Sequence, residues 1–93
     1  MVEIVFSGFD WDQGNINKCQ KHGLSLEDIE FFLLEGNFKV FPDGKHSLSE
    51  TRLLAIGLTK HGKPMFAGFV LRSGKLRVIT ARYMHKKEYG KYA

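Results

Sequence analysis

Ninety-three residues, 43% hydrophobic and 26% charged, are enough for a single soluble globular domain, 1-93, built on one core. No apolar run approaches the roughly 20 residues that span a bilayer, and a lone cysteine, Cys19, rules out an internal disulfide. The opening Met1–Phe6 lacks the basic segment and long apolar stretch of a signal peptide, so a cytoplasmic protein is expected.

The net charge of +4 is unevenly spread. Residues 60–93 carry nine Lys or Arg against Glu88 alone, whereas residues 1–59 carry five basic and nine acidic side chains. Such a division suits a surface for phosphate-rich partners. It also fits a plain solvated basic face, or two halves that attract one another within the fold.

Taken in order, Val2 to Phe6 alternates weakly, as a short first strand would. Ser7-Gly8-Phe9-Asp10 is a turn, and Asp10 or Asp12 can cap a helix from about Gln13 to His22. The apolar stripe of that helix is thin (Ile16 and Cys19, with Trp11 as an anchor), Gly14 and Asn15 weaken it, and Gly23 is placed to stop it. Ser25-Leu26-Glu27-Asp28 resembles a capping box for a second helix that ends near Glu35. Its Leu26, Ile29, Phe32 and Leu33 share one face, which marks it as core, and Phe31 and Leu34 broaden the apolar surface.

Phe38 to Phe41 reads as a strand ended by the turn tripeptide Pro42-Asp43-Gly44, followed by a polar loop from Lys45 to Ser49. Arg52 to Thr59 and Pro64 to Arg72 then form strands joined through Lys60-His61-Gly62-Lys63. Ser73-Gly74 turns the chain into a further strand that reaches Arg82. Two consecutive hairpins make a three-stranded antiparallel meander, and a short helix from about Lys86 closes the chain. The fold class is α+β: N-terminal helices packed on an antiparallel sheet, with a short C-terminal helix.

Two-residue loops in both hairpins assign the faces. One face then collects Leu54, Ile56, Leu58, Met65, Ala67, Phe69, Leu71, Leu76 and Val78, with Arg52 and Arg82 at its ends, and takes the helices. The other collects Leu53, Ala55, Gly57, Phe66, Gly68, Val70 and Ile79 with Arg72, Lys75 and Arg77, a groove lined by small residues and cations. A regular register thus separates Arg77 from Arg52 and Arg82, so one set is structural unless a bulge intervenes.

His22, His46, His61 and His85 are scattered and show no metal-ligand spacing, so neither a metal nor a cofactor is expected. What remains is a set of bases and cations. Lys18, Lys21 and His22 belong to the first helix, Glu50 and Arg52 to the start of a strand, and Arg72, Lys75, Arg77 and Arg82 to the central hairpin. RNA is cleaved without metal when a His or Glu removes the 2′-hydroxyl proton and fixed cations meet the charge growing on phosphorus. Each residue also has a bland reading. Arg52 and Arg82 can pair with the acids of the second helix, Glu50 with Arg52 can be a surface pair, His22 can satisfy helix-end carbonyls, and Asp43 and His46 can only shape a turn.

The ordered set Phe9-Asp10-Trp11-Asp12, Gly14-Asn15, Asn17-Lys18 and Lys21-His22-Gly23 with Ser25, then Val40-Phe41-Pro42-Asp43, Lys45-His46-Ser47, Glu50-Thr51-Arg52, Ala55-Ile56-Gly57-Leu58-Thr59, Arg77-Val78-Ile79-Thr80-Ala81-Arg82 and Lys87-Glu88 resembles the BrnT toxin family from Phe9 to Tyr92. The resemblance implies a RelE-like ribonuclease fold and a toxin of a type II toxin–antitoxin pair that cleaves RNA and arrests growth. It also implies neutralisation by a BrnA-type antitoxin, through which alone the complex would reach operator DNA. Lys21 and His22 match the family's Lys-His-Gly, Glu50 and Arg52 its Glu-x-Arg, and Arg77 and Arg82 its Arg-hydrophobic-Ile-Ser/Thr-Ala-Arg. The roles expected on that basis are His22 or Glu50 as general base and Arg52, Arg77 and Arg82 as phosphate and transition-state ligands. Lys18, Lys21, Arg72 and Lys75 would hold the RNA backbone. The alternative is a non-catalytic module on the same fold that binds antitoxin or RNA without cutting.

Overall fold

The computed structural model describes residues 4–46 and 50–92. Helix α1 (Gln13–Gln20) and helix α2 (Leu26–Glu35) precede strand β1 (Asn37–Pro42) and a single 3-10 turn at Gly44–His46. Strands β2 (Leu53–Leu58), β3 (Pro64–Arg72) and β4 (Lys75–Tyr83) follow, then the short helix α3 (Lys86–Tyr89). The fold is α+β, with helices toward both ends and an antiparallel sheet between them.

Asp12 caps α1 by accepting from the amides of Gly14 and Asn15, and the Asn15 side chain accepts in return from the Asp12 amide at 2.8 Å. Asn15 therefore anchors the helix that its type would weaken. It is buried, and its Nδ2 donates to both the Asp10 and Val78 carbonyls at 2.9 Å, so every polar atom it brings inside is satisfied. The helix stops at Gln20, two residues short of His22, and Gly23 turns at φ +82°. Ser25 caps α2 through the Asp28 amide, as its spacing predicts. Ile29, Phe32 and Leu33 of α2 face inward, while Phe31 and Leu34 are 50% and 63% exposed, so the helix is core on one side only.

The sheet has four strands in the order β1-β2-β3-β4, one more than the predicted meander, because β1 pairs with β2 from Asn37↔Leu58 to Pro42↔Leu53. The expected first strand is not formed by Ile4–Phe6, and Val2 and Glu3 lie outside the described residues. Instead the segment after Phe6 bonds to the β3–β4 hairpin and β4: the Ser7 amide to the Gly74 carbonyl at 2.8 Å, the Leu76 amide to the Gly8 carbonyl and the Asp10 amide to the Leu76 carbonyl, both at 2.9 Å. Part of the predicted polar loop, Ser47–Ser49, also lies outside the described residues.

Both expected face assignments change, for two separate reasons. The β2–β3 turn spans Thr59 to Lys63, closed by a 2.8 Å bond from the Thr59 amide to the Lys63 carbonyl, and this odd-length loop pairs Leu58 with Pro64 and Ala55 with Ala67. The β3–β4 hairpin keeps its two-residue turn, with Ser73 at φ 51° and Gly74 at φ 78°, the left-handed pair of a type I′ turn. Its ladder then slips: Phe69 faces Val78 but Gly68 faces Thr80, which leaves Ile79 as an unpaired bulge.

With these shifts the inner face consists of Ala55, Met65, Ala67, Phe69, Val78 and Ala81, packed against Cys19, Leu24, Ile29, Phe32 and Leu33. Each of the larger apolar side chains among them is worth about 1.5–3 kcal/mol by its burial. The outer face carries Leu54, Ile56, Phe66, Gly68, Val70 and Thr80. The C-terminal segment crosses it, with the Tyr92 ring edge-on to Phe41 at 5.8 Å.

Candidate active site on the outer face

The Thr59–Lys63 turn and the bulge at Ile79 together decide where the arginines go: the turn puts Arg52 on the face of Arg72, and the bulge puts Arg82 on the face of Arg77. Five positions separate Arg77 from Arg82, which in a regular strand would place them on opposite faces. The extra residue restores them to one side, Arg77 opposite Val70 and Arg82 opposite Phe66. Arg72 lies on the same face, and Arg52, just before β2, lays its guanidinium across Gly68. A methyl group at Gly68 would come within 3.2 Å of Arg52 Nη2 and 3.1 Å of Thr80 Cγ2. The expected separation of Arg77 from Arg52 and Arg82 is therefore corrected: all four arginines share the outer face.

Each of these cations already has a carboxylate. Arg72 donates from Nε to Glu50 Oε2 at 2.7 Å and from Nη2 to Oε1 at 2.5 Å. Arg77 donates from Nη1 to Asp12 Oδ2 at 2.9 Å and from Nη2 to Oδ1 at 3.1 Å, with Asp10 Oδ1 3.5 Å from Nη1. Arg82 donates to both oxygens of Glu88 at 3.0 and 2.7 Å and lies 5.3 Å from the centre of the Phe66 ring. Arg52 Nε lies 3.4 Å from Asp43 Oδ2. Four guanidinium groups thus face five carboxylates, so the arginine cluster itself is close to neutral in the fold.

The pairing shows in the ionisation of its members. The Arg72 hydrogen bonds hold the Glu50 carboxyl below the usual range, and Arg77 and Arg82 do the same to Asp12 and Glu88. The three arginines are raised in return by their partners. Exposure separates them: the Arg72 and Arg82 side chains are 47% and 39% exposed, those of Arg77 and Arg52 only 13% and 18%. The first two are open to a ligand, whereas Arg77 also ties β4 to the start of α1.

Of the residues singled out in sequence, Glu50, Arg52, Arg72, Arg77 and Arg82 share this face, and Lys75 stands exposed opposite Arg72 at the hairpin end. Lys18, Lys21 and His22 do not join them through any hydrogen bond or ion pair among the described residues. All three are exposed, and α1 carries the chain about 12 Å along its axis from Asp12 before it ends at Gln20, ahead of His22. The alternative pairings are also corrected. Glu50 binds Arg72 and not Arg52, and the arginines pass over the acids of α2, of which Glu30 accepts instead from Trp11 Nε1 at 2.7 Å. Sequence reading missed the partners Asp10, Asp12, Asp43 and Glu88, and the seat that Gly68 leaves for Arg52. Asp12, Asp43 and Glu88 sit in motifs that read as caps, turns or helix surface. Among the described residues no group of three or more His, Cys, Asp or Glu is arranged to hold a metal ion.

A larger cleft, about 610 Å³, lies on the other side of the sheet between α2 and β1, lined mostly by Ile4, Phe6, Leu33, Leu34, Phe38 and Val40. Among the described residues its only ionisable lining group is Lys39.

The family model described as the ribonuclease toxin BrnT of type II toxin–antitoxin systems matches residues 11–88. The chain belongs to the BrnT family. No curated protein and no solved structure gives a significant match. The BrnT match takes in all four arginines and every carboxylate partner except Asp10. Membership in a toxin–antitoxin family implies an antitoxin partner. Among the described residues no helix is long and apolar enough to cross a membrane.

Proposed function

We propose that the outer face is the catalytic surface of a metal-independent endoribonuclease, which cleaves RNA, inhibits translation and is neutralised by a BrnA-type antitoxin. One observation carries this reading: the five-residue Thr59–Lys63 turn and the bulge at Ile79 together bring Arg52, Arg72, Arg77 and Arg82 to one face, where Arg72 holds Glu50. Four fixed guanidinium groups can supply the positive charge that a metal would otherwise bring to the phosphate.

The reaction is an in-line attack by the 2′-oxygen on the adjacent phosphorus. The P–O bond to the 5′-oxygen breaks, the base removes the 2′-proton, and the leaving oxygen takes up a proton, giving a 2′,3′-cyclic phosphate and a 5′-hydroxyl. Arg52 and Arg82 meet the charge on the non-bridging oxygens, Arg77 adds field from the start of α1, and Arg72 with Lys75, Lys18 and Lys21 hold the backbone. Glu50 is better placed than His22 as the base, because it stands in the arginine cluster. Its grip on Arg72 keeps it ionised but weakens it as a base, so a phosphate must draw Arg72 away before Glu50 can act.

A second reading, an inactive module that only binds antitoxin or RNA, is favoured by one observation: the arginines are already occupied by carboxylates. RNA cleavage in excess EDTA by the wild type and by Arg82→Ala separates the two. The Arg82–Glu88 pair is partly exposed to solvent, which screens it, and it adds little to stability, so the variant should fold. Loss of one transition-state ligand should lower the rate roughly 10²–10³-fold. If neither protein cuts purified RNA or RNA on translating ribosomes, while both bind the antitoxin, the enzymatic reading is wrong.

A further inference from the structure

A second group of cations lies at the β2–β3 turn. Lys60 Nζ stands 5.5 Å from the centre of the Phe31 ring, and Lys63 Nζ stands 4.7 Å from that of Tyr83. With Asp28, Phe32, Thr59 and His61 these residues line an open cleft of about 420 Å³. Phe31 is half exposed although it belongs to a core helix. Two aromatic faces, each with an ammonium group above it on an exposed turn, form the composition that binds single-stranded nucleic acid: a base stacks on the ring and the displaced cation moves to the flanking phosphate. Asp28 adds an acceptor for the amino group of a base.

We propose that this cleft is a nucleotide-binding subsite that takes one unpaired, stacked base of an RNA with its phosphate, and so lengthens the footprint of the substrate beyond the arginine face. The proposal rests on the RNA-cleaving reading above. Its place in the fold supports it. Tyr83 follows Arg82 in β4, an edge strand, and the two side chains point to opposite faces. An RNA strand that leaves Arg82 has only to round this edge to reach Lys63. From Arg72 back to Met65, the partner of Tyr83, β3 runs about 23 Å. A substrate that spans it is several nucleotides long, and a tetramer seated at the Arg72 end of the face does not reach the cleft.

The test is fluorescence anisotropy of the full chain with labelled 2′-O-methyl RNA, which the 2′-attack cannot cleave, as a single-stranded tetramer and dodecamer. Phe31→Leu removes the stacking ring but no charge and leaves the buried side of α2 intact. Lys60→Ala with Lys63→Ala removes the cations, and Phe31→Tyr keeps a ring. The expected result is dodecamer binding weakened about tenfold or more by Phe31→Leu and by the double variant, restored by Phe31→Tyr, with tetramer binding weakened much less. Unchanged dodecamer affinity in folded variants overturns the subsite, and if Arg82→Ala still weakens both oligonucleotides the arginine face keeps its role. Variants that lose antitoxin binding but keep RNA binding would make the cleft a protein interface and also overturn it. A wild type that binds neither oligonucleotide removes the RNA reading and the subsite together.

Discussion

Arg77 and Asp12 grip one another through two parallel hydrogen bonds across 65 residues of sequence. The same Asp12 carboxylate caps α1, so one side chain fixes both the helix and the guanidinium, and any phosphate that reaches Arg77 has to compete with it.

Asp12→Asn should therefore strengthen RNA binding while leaving α1 in place. Asparagine caps a helix as well as aspartate, but it brings no charge to compete with phosphate. At low salt the affinity should rise roughly threefold to tenfold, and the gain should shrink as salt screens the site. Titration of an uncleavable oligonucleotide at two salt concentrations measures this. Unchanged affinity together with a lower melting temperature would show that Arg77 only anchors the helix.

Gly68→Ala tests the seat of Arg52. The new methyl group meets Thr80 Cγ2 at 3.1 Å and the Arg52 guanidinium at 3.2 Å, both of them side-chain atoms, so Arg52 shifts, Thr80 gives by a few tenths of an ångström and the sheet remains. Stability should fall by about 1 kcal/mol, the low end for added bulk in a packed site, while cleavage falls at least tenfold through a misplaced guanidinium. Equal losses for Gly68→Ala and for a control alanine on the helix side would sink the argument.

Acid should weaken the fold in a defined direction. Asp12, Glu50 and Glu88 hold their protons less readily in the folded chain than in the unfolded one. The unfolded chain takes up protons through the ordinary carboxylate range near pH 4, before the folded one does. The contribution is thus complete above that range and drains away as pH falls through the lower folded values. Urea midpoints at pH 6 and pH 3 should differ, and Glu88→Gln should narrow the difference. Identical midpoints would contradict the pairing.

Cys19 should be chemically silent in the native state. It is fully buried, its thiol leans on the Val78 carbonyl at 3.7 Å, and burial pushes its pKa up to about 11. At pH 8 roughly one molecule in a thousand is then a thiolate. Iodoacetamide should label the chain only in denaturant, and rapid labelling of the folded protein would refute the packing of α1 on β4.

Much of the fold was legible because it rests on local rules. Ser25 and Gly23 mark helix ends, Ser73-Gly74 marks the hairpin, and the spacing of Ile29, Phe32 and Leu33 marks the buried side of α2. The site was half legible. The order of Glu50, Arg52, Arg77 and Arg82 picked out residues that share a surface, whereas His22, past the end of α1, has no hydrogen bond or ion pair with them among the described residues. The ion pairs were hidden because they join residues far apart in the chain, such as Asp12 with Arg77, and no local pattern marks such a meeting. The faces of the sheet were misread because they depend on the length of the Thr59–Lys63 turn and on the slip at Ile79, and neither leaves a mark in composition.

That slip gives the chain a phase change, much as an inserted letter shifts the reading of a line. Val78 and Thr80 keep the sides they would have if Ile79 were absent, so a β4 shorter by that one residue would display the same two faces. Losing any residue between Arg77 and the slip, or between the slip and Arg82, while the bulge stayed, would send one arginine into the apolar layer. Within this strand, chain length and function are coupled everywhere except at one isoleucine.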